Sequence, residues 1–136
     1  MIYTGIDVVA VERIRQAVER WGDRFIQRIF SPAETALCHR RVESLAARWA
    51  AKEAVAKLLG VGLRGIGGAG GVAFHDIETL ADTHGRPTVI LHGAAQARAR
   101  ELRIGSISLS LSHDRGLAIA VAVALGSPVT RRRMPW

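Results

Sequence analysis

The chain has 136 residues, 49% of them hydrophobic, with a formal net charge of +7 and a pI near 11.2. That size predicts one globular domain burying roughly two-thirds of its unfolded surface. The longest apolar run, Gly116 to Gly126, is too short to span a bilayer, and the N-terminus lacks the basic region and cleavage site of a signal peptide, so a cytoplasmic protein with no membrane partner is expected.

A single cysteine, Cys38, excludes an internal disulfide and a cysteine-based metal cage. Residues 1–68 carry 11 basic and 7 acidic side chains, residues 69–130 carry 5 of each, and Arg131, Arg132 and Arg133 follow. An acidic partner fits this distribution. Nucleic acid fits poorly, because there is no zinc-finger spacing, no helix-turn-helix signature and no aromatic stacking platform in a chain that is 5% aromatic.

In chain order, Met1 to Val9 is rich in β-branched residues and reads as a strand with Asp7 near its end. The period then changes. Val11, Ile14, Val18 and Trp21 follow helical spacing up to Gly22, and Arg13, Arg15 and Arg20 lie on the outer faces. Phe25 to Phe30 is apolar around Arg28. Ser31-Pro32-Ala33-Glu34 then combines a Ser N-cap, Pro at the first helical position and Glu three after the cap, which is a helix start and by itself a sufficient reason for Glu34.

Ser44 to Gly60 reads as a long helix capped by Ser44 and ended by Gly60. Ala46, Ala47, Ala50, Ala51 and Ala54 leave little bulk, so this helix is suited to lie close against a sheet. Trp49, Glu53 and Lys57 fall four apart on one face, with Arg48 and Lys52 in a neighbouring stripe. The chain has 17 arginines and two lysines, and both lysines flank Glu53. A plain solvated Glu53–Lys57 pair is the simplest reading of that helix alone.

Gly60 to Gly71 is glycine-rich and reads as a connector, without the Gly-Lys-Ser/Thr ending of a nucleotide-binding loop. Val72 to Leu80 and Thr88 to Leu91 predict a hairpin around Asp82 to Pro87, followed by a helix from Ala94 to Leu102. Ser106 to Ser112 alternates leucine or isoleucine with serine. His113 to Gly116 reads as a turn, and Leu117 to Leu125 as a strand buried on both sides, with one face all alanine. Gly126 to Trp136 reads as a disordered basic tail.

Three ionic elements stand out: Asp7, Glu53 and the His113-Asp114 pair. Two hard carboxylates completed by phosphate oxygens and waters are a common setting for Mg²⁺. The motifs GIDVV with Asp7, FSPAE with Glu34, WAAKEAVAK with Glu53 and Lys57, FHDIE at Phe74 to Glu78, and SLSHD with His113 and Asp114 occur in the order of the holo-[acyl-carrier-protein] synthases, the single-domain phosphopantetheinyl transferases. The chain resembles that family over residues 1–125.

The resemblance implies an α+β 4′-phosphopantetheinyl transferase fold, an antiparallel sheet packed on the long alanine-rich helix in a trimeric assembly. It implies Mg²⁺-dependent transfer of 4′-phosphopantetheine from coenzyme A to a serine of apo acyl carrier protein. Asp7 and Glu53 match the metal-binding residues, Lys57 the lysine at the phosphates, and His113, with Arg48, the contacts to the coenzyme A nucleotide. Glu34, Asp114 or a metal-bound water is left to deprotonate the serine. Arg13, Arg20 and Arg24 match positions where the acidic carrier protein docks. The glycine run is longer than the family pattern. Two other classes stay open: a basic nucleic-acid-binding module, and a non-catalytic carrier-protein chaperone that would have no use for Asp7 or Glu53.

Overall fold

In the computed structural model, which describes residues 1–64 and 71–127, strand β1 (Ile2–Ala10) runs directly into helix α1 (Val11–Trp21). Helices α2 (Asp23–Ile29), α3 (Pro32–Cys38) and α4 (Val42–Leu59) follow. Short strands β2 (Leu63–Arg64) and β3 (Val72–Ala73) pair in parallel, and a 3₁₀ turn over Phe74–Asp76 leads into the hairpin of β4 (Ile77–Ala81) and β5 (Pro87–Leu91). Helix α5 (Gly93–Glu101) precedes β6 (Ile104–Asp114) and β7 (Leu117–Gly126). The main sheet has the order β1-β7-β6, antiparallel throughout.

Helix ends follow local chemistry. Gly22 and Gly60 close α1 and α4 at positive φ, which costs glycine little. Ser31 accepts from the Glu34 N–H while the Glu34 carboxylate accepts from the Ser31 N–H, completing the capping box. Three expectations change, and one apolar stretch left without an element gains one. Helix α4 begins at Val42 rather than at Ser44, because His39 and Arg40 both turn through the left-handed region and deliver the chain early. Phe25 to Phe30 is mostly helix α2. Val72 to Leu80 is broken, since Lys52 takes the carbonyls of Phe74 and Ile77 as acceptors and the chain curls between them. His113 and Asp114 belong to β6, and the turn is Arg115-Gly116, both at positive φ as a tight hairpin requires. The glycine run 65–70 and the basic tail 128–136 lie outside the described residues.

The core is where α4 meets the sheet. Register places Gly5, Asp7 and Val9 of β1 opposite Ala122, Ala120 and Ala118 of β7, and Leu109, Leu111 and His113 opposite the same three alanines from β6. All these residues share the face that α4 covers. The small side chains Ala46, Ala47, Ala50, Ala51 and Ala54 of α4 are buried, as are Ala118, Ala120, Ala122 and Ala124 of β7. Two small surfaces thus let a helix backbone sit nearly on a strand. The other face of β7 departs from the expectation of two-sided burial: within one chain Leu117, Val121, Val123 and Leu125 stand exposed beside Ile2, Ile6 and Val8 of β1.

Gly5 measures how close the approach is. A Cβ at this position would lie 1.9 Å from the Ala54 carbonyl oxygen and 2.8 Å from the Leu58 nitrogen, both backbone atoms that cannot rotate away. Gly5→Ala is therefore expected to destabilise the fold by roughly 3 kcal/mol or more, read as a lowered denaturant midpoint. Wild-type stability in that variant would mean the helix can lift off the sheet at no cost.

Candidate active site

Asp7 points from β1 toward α4 because its position in the strand alternates with the outward Ile6 and Val8. Helix α4 presents Glu53 and Lys57 one turn apart to the same spot. Lys57 Nζ donates to Asp7 Oδ1 at 3.1 Å and to the Ile6 carbonyl at 3.0 Å. Glu53 is half-buried, and its carboxyl is pushed above the ordinary glutamate range by burial first and then by the Asp7 carboxylate, with Lys57 and Arg13 pulling the other way. Two carboxylates thus share one corner under one exposed lysine. Among the described residues no cluster of three or more His, Cys, Asp or Glu side chains is present, so any cation there would have two protein carboxylates and other oxygens from elsewhere.

Beside this corner a cavity of about 670 Å³ is lined by Trp21, Arg24, Phe25, Arg28, Trp49, Phe74 and Glu53 among others. Its floor is aromatic: Trp49 stacks on Phe25 at 6.0 Å and packs tilted against Phe74 at 4.9 Å between ring centroids. Its rim is basic. Arg13 stands 6.0 Å over the Trp49 ring and Arg20 lies 5.0 Å over Trp21. Arg13, Arg20 and Arg24, singled out in the sequence, are exposed on this side. Phe25, Arg28, Phe74 and Trp21 were not assigned to a site. The available signal is Arg24, Phe25 and Arg28 at helical spacing within α2, while Trp21 ends α1 on the other side of Gly22.

The other candidates lie elsewhere in the single chain. His113 is on the helix-covered face but two strands across from Asp7 and two residues further along, roughly 12 Å away, where it lines a smaller cavity of about 210 Å³ with Glu12, Arg15 and Glu43. Asp114 is 80% exposed near Arg115 and lines that same small cavity. Arg48 lies near Cys38, whose thiol is raised mainly by burial, and its Nε is buried without a hydrogen-bond partner among the described residues. Glu34 requires a correction. It is fully enclosed, and its two oxygens accept from Lys52, Ser31 N–H, and both the N–H and hydroxyl of Thr79. A carboxylate with no solvent contact and no open lone pair facing a substrate is not placed to take the serine proton.

Comparison with known proteins agrees with this architecture. Residues 3–122 match the family model described as the 4′-phosphopantetheinyl transferase superfamily, and the chain belongs to that family. It is 86% identical over 136 residues to the holo-[acyl-carrier-protein] synthase of Roseiflexus castenholzii, covering 100% of both chains. It is 56% identical over 105 residues to that of Herpetosiphon aurantiacus, covering 76% of this chain and 83% of the other. Among solved structures, the Helicobacter pylori holo-[acyl-carrier-protein] synthase in complex with coenzyme A superposes with a TM-score of 0.77 at 37% identity, covering 92% of this chain and 100% of that one.

The raised Glu53 carboxyl gives a signed expectation. Its ionised form costs stability at neutral pH, because a native carboxyl that holds its proton more tightly than the unfolded chain favours folding less as it deprotonates. Without divalent cations, Glu53→Gln should melt a few degrees higher at pH 7, and the gap should close as the pH falls below glutamate's ordinary value. A variant less stable than wild type at pH 7 would show that Glu53 is a net structural contact.

Proposed function

We propose that the chain transfers 4′-phosphopantetheine from coenzyme A to a serine of apo acyl carrier protein, giving the holo carrier and adenosine 3′,5′-bisphosphate. The observation that carries this reading is the corner where Asp7, Glu53 and Lys57 meet beside a basic-rimmed aromatic cleft. The pyrophosphate of coenzyme A is anionic, and displacement at its β-phosphorus builds charge that must be neutralised where the bond breaks. Lys57 is exposed on one side and anchored to Asp7 and the Ile6 carbonyl on the other, which holds its ammonium at a fixed place for a phosphate oxygen.

Asp7 and Glu53 fit Mg²⁺, being hard oxygen donors whose mutual repulsion is left over in Glu53. Bound there, the ion would supply Lewis-acid neutralisation of the phosphate oxygens. The arginines of the rim attract an acidic carrier protein, and the aromatic floor gives its apolar residues a place to settle with the serine near Glu53. Arg48, whose Nε has no hydrogen-bond partner among the described residues, and His113 are the nucleotide contacts in this reading. The setting is cytoplasmic, in carrier-protein-dependent lipid synthesis; no helix among the described residues is long and apolar enough to cross a membrane.

His113 and Asp114 are too far from the carboxylate corner to serve it within one chain. The apolar outer face of β1 and β7 is wide enough to need a cover. A homotrimer resolves both, burying that face about one axis and bringing His113 of one copy, with Asp114 as the serine's proton acceptor, to the Asp7 and Glu53 of another. Sedimentation should then give about three times 14.7 kDa, and a fully active monomer would refute the shared site.

Intact mass spectrometry of apo carrier protein incubated with coenzyme A and Mg²⁺ should show one added phosphopantetheine, lost in Asp7→Asn and in Glu53→Gln. Near-wild-type turnover of either variant at saturating Mg²⁺ would remove the metal assignment. Arg13→Glu should raise KM for carrier protein about tenfold or more and that for coenzyme A little, with added salt imitating the change; equal effects on both substrates would make Arg13 structural.

A further inference from the structure

Lys52 is completely enclosed, yet its nitrogen has three acceptors: Glu34 Oε1 at 2.9 Å, the Phe74 carbonyl at 2.9 Å and the Ile77 carbonyl at 2.5 Å. Three acceptors around one nitrogen use all three protons of an ammonium, so the site is built for charged lysine. Glu34 completes the network through Ser31 N–H at 2.9 Å, Thr79 N–H at 3.0 Å and Thr79 Oγ1 at 2.8 Å. The ring of Phe30 lies 5.9 Å from the ammonium. Four segments, α3, α4, the 3₁₀ turn and β4, are thereby tied at one buried point.

Stability does not account for this arrangement. A capping box is satisfied equally well by a solvent-facing glutamate, and a buried ion pair commonly gives no more stability than well-packed apolar side chains of the same volume. What the pair does fix is a relative position. Lys52 immediately precedes Glu53 on α4, and one of the two carbonyls it holds is that of Phe74, whose ring contacts Trp49 one turn before Glu53. Phe74 and Glu53 both line the cleft. One ammonium thus sets the floor of the cleft against the carboxylate at its inner edge.

We infer that Lys52 and Glu34 are positioning residues for the transfer, their buried pair fixing the Phe74–Trp49 floor relative to Glu53 so that a docked carrier serine meets the reacting phosphate in one geometry. The inference rests on the reading of Glu53 as a phosphate-side, cation-holding carboxylate. Neither residue touches substrate. Displacements of about 1 Å are enough to lower turnover a hundredfold without altering ground-state affinity.

The test is the charge-free double variant Lys52→Met with Glu34→Gln, assayed beside wild type and Glu53→Gln. The double variant should keep its far-UV circular dichroism and melt a few degrees lower, because the Phe74 and Ile77 carbonyls lose their donor, while kcat falls about 30-fold or more and KM for coenzyme A stays within about twofold. In a Trp21→Phe, Trp136→Phe background, where Trp49 is the remaining indole, its emission should shift as the Phe74 contact loosens. Wild-type kcat in the folded double variant, or a lowered midpoint with unchanged kcat and emission, would overturn the positioning role and leave a structural pair. Glu53→Gln keeps the two readings apart, since full activity there overturns the carboxylate assignment, whatever the double variant does. If the double variant does not fold, Thr79→Val takes its place. It removes one hydrogen bond from Glu34 and no charge, and should lower kcat about threefold at constant KM; unchanged kcat would overturn the inference.

Discussion

Everything in this chain depends on how closely α4 lies on the sheet. The Ala54 carbonyl occupies the space where any side chain at position 5 would begin, and two alanine surfaces, one on α4 and one on β7, keep the rest of the contact equally thin. Dispersion contacts are worth most at such short range, and close-packed interiors give little freedom to slide. The consequence for the site is direct. With the backbone of α4 pinned at Ala54 and Leu58, the adjacent helical positions 53 and 57 are held over Asp7 within the tolerance of the packing. A carboxylate pair that repels itself can persist there because the cost of separating the helix from the strand exceeds the repulsion.

Much of this was legible in residue order. Gly22, Gly60 and the Ser31-Pro32-Ala33-Glu34 start punctuate helices by local rules that need no tertiary information, and the period-two run from Ser106 to Leu125 gives a hairpin directly. The alanine spacing of α4 foretold close approach and put Glu53 and Lys57 on one helix face, while their association with Asp7 followed from the family resemblance alone. What stayed hidden depends on distant partners. Val72 to Leu80 has the composition of one strand, and nothing in it reveals that Lys52, twenty residues and more upstream, takes two of its carbonyls and bends it. Glu34 has a complete local explanation as a capping residue, which concealed that its carboxylate is also the counter-ion of a buried lysine. The outer face of β7 misled in the opposite sense: apolar on both sides, it reads as buried, but within one chain only the alanine face is covered.

The cleft shows a similar division. Its basic rim follows from charges visible along α1, since arginines on the polar side of an amphipathic helix must be exposed. Its aromatic floor does not, because Phe25, Trp49 and Phe74 come from three segments and meet through the packing of α2 and the 3₁₀ turn against α4. A basic rim above an apolar floor recognises a partner by sign and by shape together, and the charge contributes chiefly to encounter while the floor sets the docked pose.

The two lysines of the chain make the same point on a single helix. Lys52 and Lys57 are five residues apart, so they project from different sides of α4. One is wholly enclosed and saturated with acceptors, the other half-open with a hydrogen bond to an acid and room for another oxygen. Between them stands Glu53. A helix that buries nearly all its surface can carry such a group accurately only if its rotation about its own axis is fixed as well as its height, and alanine packing alone constrains rotation weakly, since every alanine face is alike. The Lys52 network supplies the missing constraint, because hydrogen bonds to three particular oxygens are satisfied at one rotation and no other.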